Sequence, residues 1–343
     1  MSKHSAALGG LRVTHDAGPL KRPSKIDKSI ISNSALPMSL FDVDATNATV
    51  GWQNIRTAGG PTEAWLKSEL EKLWRYHEFT ADEAFRAEFA RQPEPRFWEM
   101  YLAAHLVRCH KKLMPRKEIA QCKDGYKGPD FGVRKGNRVI WIETIAPDKG
   151  DQNNIDKVPE LLPAGTNERF LHVAPRRQVE LRITSALYTK ALAFRHYRND
   201  GIIGEKDSCI VAISGAQFAL QAVTAGLPYV VSAVYPFGEE QFTLESSTLK
   251  VLGSDFTFSD TIQRTAKPDE PIPRSAFRGD QFKDISGIVW SRSSVGNFSP
   301  IRHDLVYVHN QRAERPVPRG WVRWREEYYS LIETDALRLR RRG

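Results

Sequence analysis

The chain has 343 residues, a length that suits one large domain or two ordinary ones. Its 50 basic and 41 acidic residues give a formal charge of +9, a moderate excess that is compatible with a phosphate-bearing partner but does not require one. The three cysteines form no CxxC pair, so they indicate neither a disulfide framework nor a zinc knuckle. We therefore expect a protein of the reducing cytoplasm.

Several classes of protein are disfavoured by what the sequence lacks. No stretch approaches the ~18 apolar residues of a membrane-spanning helix, so we expect no membrane partner. The beginning of the sequence has no long apolar core of the kind found in secretory signals. Walker A, GxGxxG, HExxH and GxSxG motifs do not occur, which argues against nucleotide-dependent motors, dehydrogenases, zinc proteases of that type and serine hydrolases.

Residues 1–60 carry little periodic apolar pattern and are rich in Ser, Gly, Asn and Pro, so they are predicted to form a largely irregular N-terminal arm. Four basic residues in this arm form a loose cluster: Lys21, Arg22, Lys25 and Lys28. This cluster is either solvated or in contact with a phosphate backbone. An α/β domain is predicted over residues 61–310, and residues 311–343 are predicted to form a Pro-containing linker and a basic, aromatic C-terminal helix.

Helical periodicity begins after the arm. Apolar residues at helical spacing predict a helix from Thr62 to about His77. Thr80, with Glu83 three residues later, resembles a capping box and predicts the start of a second helix. A third helix is predicted over residues 96–112, and its Glu99 lies at the edge of the apolar stripe.

Two strands are predicted to follow that helix. The first begins at Asp130, and the second, residues 139–145, is apolar except for Glu143 and Thr144. Such a strand is buried on both faces, where a carboxylate is costly unless it is paired or binds a metal. A hairpin turn at Gly136-Asn137 can bring Asp130 and Glu143 together at one edge.

The remainder of the chain alternates helices with short apolar strands. A helix is predicted over about residues 177–198, with Lys190 bordering its buried face, and residues 238–280 are predicted to be irregular, with short strands at best. Residues 229–235 fit either a strand or a buried helix. Further strands are predicted at 209–215, 285–290 and 305–309. This alternation predicts an α/β fold with a mixed central sheet flanked by helices.

The order of helix glutamate, Pro-Asp, and apolar strand with a glutamate, followed by a helix, resembles the core of the PD-(D/E)XK nuclease superfamily. The resemblance covers about residues 96–215. Pro129-Asp130 matches the PD, Glu143 matches the (D/E) position, and Glu99 matches the acid of the first core helix. The resemblance implies a restriction-endonuclease-like core with additions at both ends. It also implies that Asp130, Glu143 and Glu99 bind Mg²⁺ or Mn²⁺ in that core.

One position departs from this pattern. The family's lysine, two residues after the acid, is Ile145 here, and isoleucine can neither donate a proton nor stabilise charge. In the superfamily this lysine sometimes migrates, and Lys190 is the best substitute, with Lys149 and Lys157 as weaker candidates. If none of them reaches the acids, the fold retains binding without catalysis.

Each site residue also has an interpretation that needs no metal. Asp130 can be a turn residue after a proline. Glu143 can pair with Arg134, Arg138 or an arginine of a helix. Lys190 can be a solvated lysine on a helix surface.

The resemblance predicts a metal-dependent nuclease that hydrolyses phosphodiester bonds of nucleic acid, with DNA favoured. Its expected catalytic residues are Glu99, Asp130, Glu143 and Lys190. The alternatives are a catalytically inactive nucleic-acid-binding or interaction module on the same fold, and an enzyme on an unrelated α/β fold. The oligomeric state is open, and a homodimer is compatible with the sequence.

Overall fold

The structure, a computed structural model, describes most of the chain. The described residues are 13–16, 38–44, 46–125, 127–160, 175–218, 226–299, 303–333 and 336–343. The basic cluster formed by Lys21, Arg22, Lys25 and Lys28 lies outside the described residues. Within them, no helix has the length and apolar character needed to cross a bilayer.

The described helices lie mostly in the first two thirds of the chain. They are α1 (Val50–Thr57), α2 (Pro61–His77), α3 (Phe85–Arg91), α4 (Pro93–Arg108), α5 (Arg176–Asn199) and α6 (Tyr229–Val234). Helices α2, α4 and α5 correspond to the three long amphipathic stretches in the sequence. Of the two alternatives for residues 229–235, the buried helix is correct. Helix α6 covers Tyr229–Val234, and all of its residues are buried.

The strands are distributed over the whole chain. They are β1 (Val13–Asp16), β2 (Phe131–Lys135), β3 (Arg138–Ile145), β4 (Ser208–Ser214), β5 (Phe237–Leu244), β6 (Val251–Phe258), β7 (Thr261–Ile262), β8 (Ile272–Pro273), β9 (Gly287–Ser291), β10 (Val306–His309), β11 (Glu326–Glu333) and β12 (Ala336–Arg342).

One large mixed sheet organises the molecule, in the strand order β1-β12-β11-β10-β9-β4-β3-β2. Strands β2 and β3 are antiparallel, whereas β3, β4 and β9 run parallel to one another. The predicted α/β fold with a mixed central sheet and flanking helices is therefore confirmed. The β2–β3 hairpin forms one end of the sheet.

Helices cover both faces of this sheet, which makes three layers. Side chains of α1 to α4 form one core with Ile140 and Ile142 of β3. Side chains of α5 and α6 form the other core with Trp141 of β3 and Val211 of β4. Successive residues of a strand face opposite layers, which explains why β3 and β4 are apolar nearly throughout.

The predicted C-terminal helix is wrong, because the chain ends in the antiparallel pair β11–β12. The segment carries two signals for a strand. Tyr328 and Tyr329 are β-favouring residues, and alternation of leucine with arginine places Leu339 in the core, fully buried. This two-residue period outweighs the helix-forming tendency of arginine and leucine.

Among its described residues, the predicted N-terminal arm contains α1 and the short strand β1. Two further expectations need correction. Residues 238–280 are not largely irregular, since β5 and β6 form a hairpin with exposed apolar side chains. Thr80 does not cap a helix, because its hydroxyl donates back to the carbonyl oxygen of His77 at 2.8 Å and α3 begins only at Phe85.

Candidate acidic site at the β2–β3 hairpin

The hairpin brings Asp130 and Glu143 into direct contact. Its turn contains Gly136 at a φ of 61°, a conformation that favours glycine. The backbone N–H of Asp130 donates to Oε2 of Glu143 at 3.2 Å. In return, the backbone N–H and the hydroxyl of Thr144 each donate to Oδ2 of Asp130 at 2.7 Å. The predicted turn and the predicted approach of the two acids are both present.

Helix α5 supplies the cation and a hydroxyl that face Glu143. The side chain of Glu143 is only 6% exposed, and Nζ of Lys190 lies 2.8 Å from its Oε1. The hydroxyl of Tyr197 donates to the same oxygen at 3.3 Å. These two contacts offset the free-energy cost of burying the Glu143 carboxylate in the strand. They also show that Lys190 is not a solvated lysine, since its side chain is 19% exposed.

Glu99 reaches the site from α4, on the opposite face of the sheet. The indole N–H of Trp98 donates to the carbonyl oxygen of Ala212 at 3.0 Å, which fixes α4 against β4. The guanidinium of Arg96 donates to both carboxylate oxygens of Glu99, at 2.7 and 3.0 Å. Nε2 of His77 lies 3.9 Å from Glu99, and the His77 ring packs on Phe131 at the start of β2.

The charges of these acids act on one another. Burial and the neighbouring charge of Asp130 raise the pKa of Glu99 to about 8, although Arg96 opposes the shift. Burial and Asp130 also raise the pKa of Glu143 to about 7, against the opposing effect of Lys190. Burial and the charge of Asp130 therefore act together on both glutamates and make each a weaker acid than usual.

The cation at the site is itself held charged. Burial alone would lower the pKa of Lys190, but the carboxylates of Glu143 and Asp130 raise it above its usual value. Lys190 is therefore an ammonium group at neutral pH. It can donate hydrogen bonds and stabilise negative charge, but it cannot accept a proton there.

The donor set suits a divalent hard cation such as Mg²⁺ or Mn²⁺, which binds oxygen ligands. Asp130 is only partly buried, and both hydrogen bonds that it accepts within the described residues use Oδ2. Its Oδ1 therefore remains to serve as a metal ligand. A divalent ion would also relieve the repulsion between Asp130 and each of the two glutamates.

The other candidate cations lie elsewhere. Lys149 pairs with Glu160, and Arg134 donates to Glu118 at 3.1 Å. Within the described ranges, the cations that contact the acids of this site are Lys190 and Arg96.

Four residues of the site were not predicted: His77, Arg96, Thr144 and Tyr197. Two had a detectable signal. Tyr197 lies seven residues after Lys190 and therefore two turns along the same helix face, and Arg96 lies one turn before Glu99. No signal identifies His77 or Thr144, because their positions depend on tertiary packing.

Basic side chains border the acids. Nη1 of Arg116 donates to the carbonyl oxygen of Pro129 at 2.8 Å, next to Asp130. Nζ of Lys127 lies 2.6 Å from Asp82, and its side chain is 57% exposed. The charge of Asp82 also acts on Glu99, so the ion pair of Lys127 and Asp82 lies beside the acids.

Comparisons with family models, with curated proteins and with solved structures find no match to this chain. Any function assigned to this site therefore depends on the geometry of its own residues.

Proposed function

We propose that this protein is a metal-dependent nuclease with a restriction-endonuclease-like core, and that it hydrolyses phosphodiester bonds of DNA. One observation carries the proposal. The backbone N–H of Asp130 contacts the carboxylate of Glu143 at the open end of a hairpin, where Lys190, from a helix, takes the place of the cation missing at Ile145. Glu99 adds a third carboxylate from the opposite layer.

Asp130 and Glu143 would hold Mg²⁺ or Mn²⁺, with Glu99 joining directly or through water. When bound, such an ion polarises a phosphodiester and makes water a better nucleophile at neutral pH. The fit of such an ion is supported by burial and by the charge of Asp130, which raise the pKa of both Glu99 and Glu143 against the opposing effects of Arg96 and Lys190.

The side chains of the chain have distinct roles in this proposal. Lys190, as an ammonium group, orients the attacking water by hydrogen bonding or offsets the negative charge that develops on the phosphorane. Tyr197 and Thr144 hold the carboxylates of Glu143 and Asp130 in position. Arg96 fixes Glu99 through two hydrogen bonds.

The choice of nucleic acid as substrate is supported by charge. The chain carries a formal charge of +9, Arg116 contacts the backbone next to Asp130, and the exposed Lys127 is paired with Asp82, whose charge acts on Glu99. Phosphates of a duplex can pair with such side chains while one phosphodiester reaches the carboxylates.

A second candidate function is a binding module without catalysis. The specific observation in its favour is the ion pair between Lys190 and Glu143, which stabilises the buried carboxylate even without a metal. In that case the acids maintain the hairpin and the basic border binds nucleic acid.

The experiment that separates the two functions is cleavage and binding of plasmid and linear DNA by the parent protein, Asp130→Ala and Glu143→Ala. The nuclease predicts cleavage with Mg²⁺ or Mn²⁺ that EDTA and both substitutions abolish, while DNA binding persists. DNA binding without cleavage under either metal would establish the binding module. Cleavage that survives both substitutions would contradict the site.

A further inference from the structure

A second cluster of ligand-type side chains lies where the segment before Asp130 meets the C-terminal end of α5. Its members are Cys122, Asp124, His196 and Asp200. One ligand atom from each, a thiol sulfur, an imidazole nitrogen or a carboxylate oxygen, lies within 4.8 Å of all the others. We propose that these four residues bind a zinc-type transition-metal ion at a structural site separate from the acidic site.

Local structure aims the four side chains at one another. His196 and Asp200 are four residues apart at the end of α5, so they project from the same side of the helix. Cys122 and Asp124 belong to a tight turn in which the N–H of Gly125 donates to the carbonyl oxygen of Cys122 at 3.0 Å. The sequence alone gives no CxxC signal, because the two halves are brought together only by the fold.

Existing contacts already join the two halves. Nε2 of His196 lies 3.1 Å from Oδ2 of Asp124. The backbone N–H of Lys123 donates to Oδ2 of Asp200 at 2.9 Å, which orients that carboxylate. The side chains of Asp124 and His196 are about half exposed, at 45% and 46%, so an ion can enter from solvent.

The mixture of donors identifies the class of metal. Thiolate and imidazole ligands favour zinc and related transition metals over Mg²⁺, which prefers oxygen ligands alone. Neighbouring ligand atoms on a tetrahedral zinc lie about 3.3 to 3.7 Å apart, given bond lengths of about 2.0 to 2.3 Å. The cluster therefore needs to contract by only about 1 Å, which the exposed side chains of Asp124 and His196 permit.

The charge and proton balance are simple. As Zn²⁺ binds, the S–H bond of Cys122 breaks, its proton passes to solvent, and the thiolate sulfur coordinates the ion. The thiolate, the two carboxylates and the ion sum to a charge of −1, with His196 neutral. No oxidant or reductant takes part.

Four protein ligands leave no open position for a substrate, which is the arrangement of a structural zinc site. The ion would clamp two segments that carry residues of the acidic site. Cys122 and Asp124 shortly precede Asp130, and His196 directly precedes Tyr197. The proposal does not depend on phosphodiester hydrolysis.

Metal binding by the full chain, first stripped with EDTA and dialysed, tests the proposal. ZnCl₂ and CoCl₂ are titrated into the parent, Cys122→Ser and His196→Ala, with Cys109→Ser and His110→Asn as matched controls outside the cluster. Calorimetry gives stoichiometry and affinity, cobalt absorbance reports a thiolate-to-metal charge-transfer band, and thermal melting reports the structural effect.

We expect one zinc per chain, a cobalt–thiolate band and a raised melting temperature for the parent and both controls. Cys122→Ser should lose the band, and both cluster variants should bind zinc at least about 100-fold more weakly, since even an outer partner of a metal ligand contributes about 10- to 100-fold. Asp130→Asn should retain zinc binding, which separates this site from the acidic one. Unchanged zinc affinity in both cluster variants, or a parent without the cobalt–thiolate band, would overturn the proposal.

Discussion

Nζ of Lys190 lies 2.8 Å from Oε1 of Glu143, although the two residues are 47 positions apart in the chain. The contact joins a helix of one outer layer to a strand of the central sheet. It supplies a cation to the acidic site from a helix, whereas the PD-(D/E)XK pattern places a lysine in the strand, two residues after the acid. The nuclease proposal depends on Lys190 taking the role that a lysine at position 145 would have.

The first prediction concerns the charge of Lys190. Lys190→Met keeps most of the length of the side chain but removes the ammonium group, so metal-dependent cleavage should fall about 10²- to 10³-fold. Lys190→Arg should retain more activity than Lys190→Met, because the charge remains. Single-turnover plasmid cleavage measures both. Equal rates for Lys190→Met and the parent would exclude a catalytic role for this residue.

The second prediction moves the cation back into the strand. Ile145 shares the strand face of Glu143 and is only partly buried, so a lysine there can direct its ammonium group toward the acids. Ile145→Lys in the Lys190→Met background should recover part of the lost cleavage. The control is Val139→Lys in the same background, which lies on the same face but four residues before Glu143 instead of two residues after it, and which should recover none.

The third prediction concerns a buried ion pair remote from the acidic site. Glu180 is fully buried, and Arg274 contacts it at 2.6 Å. Arg274→Met should lower the free energy of unfolding by about 3 kcal/mol, because it leaves a buried carboxylate with less compensation, while Arg176 still pairs with it. Urea denaturation measures the loss, and the exposed Arg278→Met should change stability by less than about 0.5 kcal/mol. Equal stabilities of the two variants would contradict this prediction.

The fourth prediction concerns the pH dependence of stability. Burial tends to raise the pKa of Asp156, but hydrogen bonds from Arg177 and from the backbone N–H groups of Ala266 and Thr265 hold it at about 2, below its usual 3.8. An acid with a lowered pKa stabilises the folded state above its unfolded pKa and loses that contribution as the pH falls through the folded value.

Asp156→Asn should therefore be less stable than the parent by about 2 kcal/mol near neutral pH, the scale of hydrogen bonds to a charged group. The difference should shrink as the pH falls from about 4 to about 2, because the parent's carboxyl then becomes neutral. Denaturation curves at several pH values measure it. A difference that stays constant down to pH 2 would show that the charge of Asp156 contributes nothing.

Local patterns predicted much of the fold. The apolar stripes of α2, α4 and α5 and the apolar runs of β3 and β4 identify those elements because burial imposes their period. The C-terminal pair β11–β12 was missed because leucine and arginine favour helices, while the alternation around Leu339 favours a strand. Whether the segment forms a helix or a strand is decided by its pairing with neighbouring strands, and that pairing joins parts of the chain that are distant in sequence.

The candidate site was partly predictable for the same reason. Asp130 and Glu143 are joined by a hairpin whose turn is visible in the sequence, so their approach follows from local structure. Lys190 could be named as a candidate because it borders the buried face of α5. The contacts of His77 and Thr144 depend on how layers pack and on hydrogen-bond geometry, which single-sequence patterns do not contain.

The most direct test of the nuclease proposal is the single-turnover rate of supercoiled plasmid cleavage with Mg²⁺ for the parent, Asp130→Asn and Asp148→Asn. Asp148, 80% exposed and paired with Arg182, provides a matched change of charge away from the acids. We predict that Asp130→Asn remains folded but cleaves at least about 10³-fold more slowly, since a metal supplies several kcal/mol of transition-state stabilisation. Asp148→Asn should cleave like the parent. A parent that cleaves no DNA with Mg²⁺ or Mn²⁺, or an Asp130→Asn variant as fast as the parent, would contradict the proposal.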